Sequence, residues 1–421
     1  MAHYIEISNL GPIDYCELDI DGFTVFTGPQ ASGKSTTAKA VYFFRTIKDD
    51  ILDLALTMQS FEDLPVILSE RLGRKFANMF GNDLSCYSTN MNLKYFYEKG
   101  NDEAYIKVYF HKKLSVVSIG FGQEIQQLLV LEISNLNALN RKDAVDILKT
   151  KLSDVFRDDY ETIYIPSGRS TITLLSDHFP YLLAKMEDWQ LNSIDYCTRK
   201  YIELILKIRP WFSERRVQEV NESKKLPILE IQRLSRNALD ATYQFVNNEE
   251  RLYFTNRGES EFVKINYSSS GQQEAIWVFN LLIYFQVEGK KVFTIIEEPE
   301  AHLHPEAQYM LSKGIATFCK HTKSQAIITT HSPYVLSSLN NLIYAGKIGG
   351  NPKLQSNLSS IIPEISWLAP NGFSAFIFEH GKIRSIKDED LAMIDLEELD
   401  AVAARHDEEY EKMLFLSAEV R

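Results

Sequence analysis

The chain of 421 residues lacks the features that mark a secreted or membrane-bound protein. Its four cysteines are scattered without CxxC spacing, which argues against a zinc ribbon or a disulfide framework and suits a reducing compartment. The first ten residues carry His and Glu where a signal peptide needs an apolar core. The longest apolar run, 276–285, is interrupted by Asn280 and is too short to span a bilayer. We therefore expect a cytoplasmic protein without a membrane partner.

The chain also lacks an excess of basic residues. It has 57 acidic residues against 45 Lys and Arg, which gives a net charge of −12. Dedicated nucleic-acid binders are more often basic, since contacts to phosphates supply most of their non-specific affinity. The basic stretch 213–220 could contact a phosphate backbone, but a solvated helix face is the simpler interpretation. DNA is therefore a candidate partner, but not the one that the composition favours.

Internal repeats and low-complexity segments are missing, and the apolar pattern is that of an ordinary globular chain. Alternating residues predict strands at 3–8, 15–20 and 22–28, followed by a helix over 32–47. Further on, the pattern predicts a helix over 62–72 and an antiparallel meander of strands at 104–110, 113–121 and 127–133. Helical periodicity then dominates from 141 to 248, with breaks at 164–170 and 224–230.

The second half of the chain alternates between strands and helices. A hairpin is expected from 251–256 and 261–267. It is followed by a helix at 272–286, a strand at 291–296, a helix at 305–319, a strand at 325–330 and a helix from 332. Such alternation predicts a parallel sheet covered by helices. The tail predicts a second hairpin over 374–386 and a charged helix over 396–416.

The first motif is a glycine-containing loop between a predicted strand and a predicted helix. It fits GxxxxGK[ST] and consists of Gly28, Pro29, Gln30, Ala31, Ser32, Gly33, Lys34, Ser35 and Thr36. Glycines let consecutive backbone N–H groups curl around phosphates, and the helix that follows directs its positive end at them. We expect Lys34 to reach the β- and γ-phosphates of ATP and the Ser35 hydroxyl to ligate Mg²⁺. An accidental glycine turn would lack this strand–loop–helix setting.

The second motif is an apolar strand that ends in two carboxylates, Glu297 and Glu298. Adjacent carboxylates at a strand end are costly unless a cation or polar ligand meets them. We assign Glu297 to Mg²⁺ or its water shell and Glu298 to the attacking water as general base. Alone, the pair would equally suit a solvated turn. His302 and His304 raise the alternative of a metal site, which the missing third ligand disfavours.

Two further motifs complete the set. The serine-rich turn before the helix at 272–286 forms a second anion-binding helix terminus, with Ser269, Ser270, Gly271 and Gln272 as candidate nucleotide contacts. One triphosphate does not need two such cradles in one chain, so the turn is expected to act on a nucleotide held by another subunit. His331 follows the strand at 325–330 and is expected to sense or stabilise the γ-phosphate, although a lone histidine there is usually structural.

Taken in order, GPQASGKS, SSSGQQE, TIIEEPEAHLHP and TTHSP resemble the ATPases of the ABC superfamily, and most of all the branch with OLD-family, RecF-like and structural-maintenance-of-chromosomes proteins. In that family the segments are the Walker A loop, the signature motif, Walker B with the D-loop, and the switch histidine. Three departures are visible: Glu297 replaces the Walker B aspartate, SSSGQ replaces LSGGQ, and His304 stands where the D-loop usually has an aspartate. The segment 164–170 resembles the "IPxxRS" stretch near the family's Q-loop.

The resemblance implies an α/β fold: an ABC-type ATPase head with a mixed β-sheet, an antiparallel β-subdomain and a helical insertion lobe. The expected organisation is an amino-terminal ATPase part (1–50), an insertion with antiparallel strands (51–160), a helical lobe (161–250), the remaining ATPase motifs (251–345) and carboxyl-terminal strands with a helix (346–421).

The resemblance also implies partners. The insertion is too short for long coiled-coil arms, and no TOPRIM-like unit follows His331. The chain thus resembles stand-alone OLD-like (AAA15-type) ATPases, many of which pair with a separately encoded effector, often a nuclease, in anti-phage systems such as Septu and PARIS. We expect a homodimer or a higher multiple that binds ATP and Mg²⁺ and regulates such an effector. A RecF-like ATPase that clamps DNA is the alternative, and a transport ATPase or a small-molecule kinase is less favoured.

Overall fold

The structure is a computed structural model. It describes residues 3–57, 63–81, 87–111, 116–133, 141–176, 178–179, 181, 185–186, 194–213, 222–255, 261–388, 391, 393–395 and 413. The predicted charged helix at 396–416, except residue 413, and most of the basic stretch 213–220 lie outside these residues.

A six-stranded mixed sheet forms the centre of the molecule, in the order β14-β13-β3-β12-β11-β7. All neighbours are parallel except β14, which pairs antiparallel with β13. The strands are β3 (Phe23–Thr27), β7 (Glu161–Ile165), β11 (Val292–Glu297), β12 (Gln325–Thr329), β13 (Phe373–Glu379) and β14 (Lys382–Ser385).

A second, antiparallel sheet has the order β2-β1-β4-β5-β6. Its strands are β1 (His3–Leu10), β2 (Ile13–Ile20), β4 (Asn92–Phe96), β5 (Tyr105–His111) and β6 (Val116–Phe121). A smaller sheet joins β8 (Ala241–Val246), β9 (Glu249–Phe254) and β10 (Phe262–Lys264), and β15 (Lys387–Asp388) pairs with β16 (Met393–Ile394).

The helices of the first half are α1 (Lys34–Arg45), α2 (Ile47–Thr57), α3 (Leu64–Phe80), α4 (Gln123–Gln127) with a π-helical turn at Leu128–Glu132, α5 (Arg141–Val155), α6 (Arg169–Leu174) and α7 (Tyr196–Ile208). The helices of the second half are α8 (Glu222–Leu239), α9 (Ser270–Glu288), α10 (Pro305–Thr322), α11 (Pro333–Ile348) and α12 (Pro352–Ile361). Short 3₁₀ turns lie at Arg209–Phe212, Ile265–Tyr267 and Glu364–Ser366.

The central sheet separates two hydrophobic cores. Successive residues of β11 point to opposite faces, so that Ile296 packs with α7 to α11 while Ile295 packs with α1, α3 and the antiparallel sheet. Every residue of β11 is therefore buried, which explains its continuous apolar sequence. Burying each large aliphatic side chain contributes roughly 1.5–3 kcal/mol, so the strands that carry the motifs are firmly anchored.

The predicted α/β fold class, with a mixed sheet and a separate antiparallel sheet, is confirmed. The three amino-terminal strands, the helix after them and the whole strand–helix alternation after 270 lie where the sequence predicts them. The hairpins at 251–267 and 374–386 are also present as paired strands. None of the described helices is long and apolar enough to cross a membrane.

Two local predictions are wrong. Residues 127–133 are helical, not a strand, because Ile125, Leu128, Leu129 and Ile133 are spaced to bury one helix face. The third strand of the meander is instead β4, in a stretch rich in polar residues. The predicted break at 224–230 is absent, since α8 continues through Pro227, and the buried Ile228, Ile231 and Leu234 anchor the helix against the core.

Candidate nucleotide-binding site

Three of the four motif segments, together with the segment 166–170, leave the central sheet at the carboxyl ends of its strands. The strands β3, β12, β11 and β7 are parallel and adjacent, so their carboxyl ends lie side by side. The glycine loop follows β3, His331 follows β12, Glu298 follows β11, and the segment 166–170 follows β7. The carboxyl edge of a parallel sheet is the usual place for a ligand in α/β proteins.

The glycine loop has the backbone conformations that a phosphate cradle requires. Gly28 has a φ of 126° and lies so close to the next strand that a Cβ atom would come within 2.3 Å of the Phe378 carbonyl oxygen. Gly33 caps α1 with a φ of 109°, and Ala31 has a φ of 59°. Residues with a side chain rarely adopt the φ angles of Gly28 and Gly33, so glycine is required at these two positions. No acidic residue occupies the first turn of α1, so the positive end of that helix keeps its attraction for anions.

Lys34 bridges the two ends of the glycine loop. Its Nζ donates hydrogen bonds to the carbonyl oxygens of Gly28 (2.9 Å) and Pro29 (2.7 Å) and to Ser32 Oγ (3.4 Å). The side chain is buried, and burial lowers the pKa of its ammonium to about 8, although the charges of Glu298 and Glu300 act in the opposite direction. A buried ammonium whose hydrogen bonds go to neutral oxygen atoms is well suited to an incoming polyanion.

Ser35, Gln30 and Ala31 border the loop on its solvent side. Ser35 is exposed and carries no hydrogen bond through its hydroxyl among the described residues. The loop residues Pro29 and Gln30 are also exposed, while Ser32 and Thr36 are half-buried. The structure thus leaves an open surface over the loop, with the Ser35 hydroxyl available to a cation.

Two buried carboxylate oxygens near the strand ends have no partner in the described part of the chain. Glu297 is 5% exposed; its Oε2 accepts a hydrogen bond from the Ser167 backbone N–H (3.1 Å), whereas its Oε1 has none. Glu300 accepts from Thr330 Oγ1 (2.6 Å) and the His331 N–H (2.9 Å) through Oε1, and its Oε2 is also unpaired. Oxygen atoms of this kind fit a hard cation such as Mg²⁺ or its water ligands.

Glu298 and His331 point to solvent and meet each other. Glu298 Oε1 lies 3.6 Å from His331 Nε2, and the two side chains are 42% and 35% exposed. Glu298 has a φ of 41°, a left-handed conformation that is uncommon for a non-glycine residue. Its N–H donates to the Thr329 carbonyl oxygen (2.9 Å), which fixes the strained peptide to the neighbouring strand. The pair is therefore presented to the space above the strand ends.

The serine turn lies at the amino terminus of α9. Ser269 is the N-cap residue, and its side chain and that of Gln272 form a reciprocal capping box. Ser269 and Ser270 are exposed, and the neighbouring Tyr267 is 77% exposed. A Cβ atom on Gly271 would come within 2.7 Å of the His302 carbonyl oxygen, so the turn packs directly on the segment after Glu298. No hydrogen bond joins this turn to the glycine loop among the described residues.

The histidines that suggested a metal site have separate roles. His304 is the N-cap of α10, where its Nδ1 accepts a hydrogen bond from the Glu306 N–H (3.4 Å), and His302 has a φ of 59°. No group of three or more His, Cys, Asp or Glu in the described part of the chain is arranged to hold a metal ion on its own. A cation at the strand ends would thus depend on the nucleotide phosphates for part of its ligand set.

The sequence does not identify Arg169 and Glu274 as site residues. Arg169 is fully buried and forms an ion pair with Glu274 (3.2 Å). Its guanidinium also donates to the carbonyl oxygens of Glu297 (2.6 Å) and Glu298 (2.9 Å). The available signals were an arginine in the segment 164–170 and a glutamate in the first turns of an otherwise apolar helix. Glu300, two residues after Glu298, lies in the same motif, but the sequence alone does not identify it as a site residue.

Comparison with known proteins gives one family. The AAA_15 family, described as an AAA ATPase domain, matches residues 1–336. A search of curated proteins finds no significant match.

Three SMC head structures are among the solved structures similar to the chain. An SMC head bound to the C-winged helix domain of ScpA shares 11% identity, with 92% of this chain and 98% of that chain covered and a TM-score of 0.44. An SMC head domain with an extended coiled coil, bound to the C-terminal domain of ScpA and derived from Pyrococcus furiosus, shares 13% identity over 96% of this chain and 99% of that chain (TM-score 0.41). The SMC head domain from Thermotoga maritima shares 11% identity over 92% and 99% (TM-score 0.37).

Proposed function

The chain belongs to the AAA ATPase domain family and is an ATPase, and from this premise we propose that it is a nucleotide-switched dimer that controls a partner protein. In this proposal each ATP is bound by the glycine loop of one protomer and covered by the serine turn of a second copy. Hydrolysis separates the two copies. The dimer, the partner and the site assignments that follow are all parts of the proposal.

The nucleotide is expected at the carboxyl edge of the central sheet. Backbone N–H groups of residues 30–36 surround its phosphates, and Lys34 exchanges the carbonyl oxygens of Gly28 and Pro29 for the β- and γ-phosphate oxygens. Ser35 and Glu297 are the residues that would hold Mg²⁺, because the Ser35 hydroxyl is exposed and Glu297 has an unpaired buried oxygen. When bound, Mg²⁺ would neutralise charge on the β- and γ-phosphates.

Glu298 is the residue best placed to act as the general base. It accepts a proton from water while the water oxygen bonds to the γ-phosphorus and the bond from that phosphorus to the bridging oxygen of ADP breaks. His331, 3.6 Å from Glu298, is placed to donate a hydrogen bond to the γ-phosphate or the attacking water. The products are ADP and inorganic phosphate.

One observation carries the dimer: the serine turn is built as an anion-binding helix terminus, yet it faces solvent and does not bond to its own glycine loop. An exposed tyrosine beside it, Tyr267, extends the surface that a second protomer would cover. Ser269, Ser270 and Gly271 would then contact the γ-phosphate of the nucleotide that the other protomer holds. This arrangement gives every ATP a ligand set drawn from two chains.

Mixing two inactive variants tests this directly. Lys34→Ala removes the lysine of the loop, and Ser270→Arg blocks the turn, so each variant alone lacks a complete site. A mixed dimer contains one complete site, made from the loop of the second variant and the turn of the first. Each mixed dimer carries one of two sites, so mixing should restore between roughly a quarter of the wild-type ATPase rate, if the two variants pair at random, and roughly a half, if only mixed dimers form. No recovery at high protein concentration would contradict the composite site.

The partner is proposed from the resemblance to stand-alone OLD-like ATPases, in which a separately encoded effector, often a nuclease, works in anti-phage defence. The ATP-bound dimer would present a surface that the monomer lacks, and a partner would distinguish the two states by differential affinity. Pull-down of neighbouring gene products with and without ATP tests this. Nuclease activity of the purified chain alone would contradict the division of labour.

A DNA-clamping ATPase is the second candidate, and one surface favours it. On the outer face of the antiparallel sheet, Lys94 Nζ lies 4.2 Å from the ring centres of both Phe96 and Tyr105, and Lys107 Nζ lies 5.3 Å from that of Tyr109. Lysines set among aromatic rings suit a nucleic-acid backbone and bases. The DNA clamp predicts ATPase activity that DNA stimulates with steep salt dependence. If the double variant Lys94→Ala, Lys107→Ala lost this stimulation, the DNA clamp would be favoured over the switch that controls a partner protein.

A further inference from the structure

The guanidinium of Arg169 holds four backbone carbonyls at once. Its Nε donates to the Glu274 carbonyl oxygen (2.9 Å), Nη1 to those of Pro166 (2.8 Å) and Glu297 (2.6 Å), and Nη2 to that of Glu298 (2.9 Å). The side chain is 0% exposed. One residue thus ties together the end of β7, the end of β11 and helix α9, although its contacts on β11 and α9 lie more than a hundred positions further along the chain.

The Glu274 carboxylate makes the connection to α9 rigid. It accepts hydrogen bonds from the backbone N–H groups of Arg169 (3.1 Å) and Ser170 (2.9 Å), and it lies 3.2 Å from Arg169 Nε. Glu274 is three residues after Gly271, within one helical turn of the serine turn. Gly271 in turn packs against the His302 carbonyl oxygen, so a displacement of the turn must move α9 or the segment after Glu298.

On the other side, Arg169 fixes the conformation of Glu298. The peptide groups of this left-handed residue are held from both sides, by the Thr329 carbonyl at its N–H and by Arg169 at its carbonyl oxygen. Without the second bond, the backbone of Glu298 is free to relax towards a right-handed conformation, which would turn its carboxylate away from the space above the strand ends.

We propose that Arg169 is the positioning residue that transmits closure of the serine turn on a partner's nucleotide to Glu298 of the same protomer. The proposal rests on the dimer described under Proposed function and deepens it: a movement of the turn on engaging a partner's nucleotide reaches the base through Glu274 and Arg169. Arg169 itself touches no nucleotide. It acts through Glu298, and Glu274 is the element of α9 through which it responds to the turn.

Arg169→Lys tests the proposal, because a lysine keeps the charge but cannot reach four carbonyls with a planar fork. We expect kcat to fall about 100-fold from a misplaced base, while KM for ATP changes less than about threefold. The decisive readout is a double-mutant cycle measured by single-turnover hydrolysis. In the Glu298→Gln background, Arg169→Lys should lower the residual rate by less than about threefold, because the group through which it acts is gone. Equal losses in both backgrounds would overturn the proposal.

Arg45→Lys is the matched control. Arg45 is equally buried, but its hydrogen bonds go to His3 (3.1 Å) and Asp158 (2.9 Å), away from Glu298. It should lower thermal stability without the selective loss of kcat. If Arg169→Lys does not fold, Glu274→Gln replaces it. This variant should retain ATP binding and lose turnover, and wild-type turnover in Glu274→Gln would then overturn the proposal.

The same variants distinguish a failure of the proposed dimer from a failure of the positioning role of Arg169. If the Glu298→Gln protein with intact Arg169 fails to dimerise with ATP, the proposed dimer fails. If it dimerises and the Arg169→Lys protein turns over at the wild-type rate, only the positioning role fails.

Discussion

Glu298 and His331 meet across the carboxyl edge of the central sheet, with Oε1 and Nε2 3.6 Å apart, although they follow different strands. The parallel pairing of β11 with β12 creates this contact, because Glu297 is in register with Thr329 and each functional residue lies just beyond that pair. In the proposed mechanism, this solvent-exposed carboxylate and imidazole, next to the glycine loop, are the groups that act on the attacking water molecule.

Replacing Glu298 with Gln should leave ATP binding intact and slow hydrolysis by about 100-fold or more, since the amide cannot accept the proton of the attacking water. Steady-state release of phosphate and equilibrium binding of ATP measure the two effects separately. Glu306→Gln, an exposed glutamate in the first turn of α10, is the control and should hydrolyse normally. Wild-type turnover by Glu298→Gln would show that another group is the base.

Replacing Lys34 with Ala should abolish measurable ATP binding, with a loss of about 100-fold or more in affinity, because the triphosphate loses its buried cationic partner. Calorimetric titration with ATP and Mg²⁺ measures this. Lys313→Ala is a suitable control, since Lys313 is similarly buried and burial likewise lowers its pKa, but it lies on α10. If the affinity of Lys34→Ala for ATP were unchanged, the nucleotide could not be bound by this loop.

ATP affinity should decrease as the pH rises from 7 to 9. Burial lowers the pKa of Lys34 to about 8 in the free protein, so the lysine is mostly charged at pH 7 and mostly neutral at pH 9. The triphosphate binds the charged form, and binding at the higher pH must take up a proton. The dissociation constant should therefore rise by about tenfold over this range. In Lys34→Arg the side chain stays charged, so the affinity should be lower but independent of pH. A flat wild-type curve would contradict the assigned pKa.

Replacing Gly271 with Ala should disrupt the dimer without affecting the nucleotide loop. The added methyl group would come within 2.7 Å of the His302 carbonyl oxygen, so the serine turn must shift. We expect ATP-dependent dimerisation to weaken by about tenfold or more, and ATP binding by the monomer to be retained. Sedimentation at several protein concentrations measures the first effect. Gly120→Ala, whose nearest neighbour would be 3.9 Å away, should behave like the wild type. A normal dimer in Gly271→Ala would contradict a role for the turn.

Much of the fold was predictable because its elements are local. The strand β3, the glycine loop and α1 follow from a short apolar run, two glycines and helical spacing within 25 residues. The segment 127–133 was mistaken for a strand because seven mostly apolar residues fit either structure, and only the packing of Leu128, Leu129 and Ile133 against α3 and the antiparallel sheet decides between them. Strand β4 escaped prediction because it lies within a polar, asparagine-rich stretch of the sequence near 82–101.

The candidate site also contains residues that can be predicted from local sequence and residues that cannot. Lys34, Glu298 and His331 lie in short motifs that can be read from the sequence. The role of Arg169 depends on contacts with Glu274 and Glu297, 105 and 128 positions away. No local pattern distinguishes an arginine that holds four carbonyls from one on a solvated turn, so this part of the site emerges only from the folded arrangement.

Light scattering of the Glu298→Gln protein, with and without ATP and Mg²⁺, tests the nucleotide-switched dimer most directly, and a parallel sample contains a DNA duplex of about 30 base pairs. The proposal predicts that ATP with Mg²⁺ doubles the mass and that DNA makes no difference. A monomer under all conditions would contradict the dimer, and a larger species that forms only with ATP and DNA together would favour the DNA clamp instead.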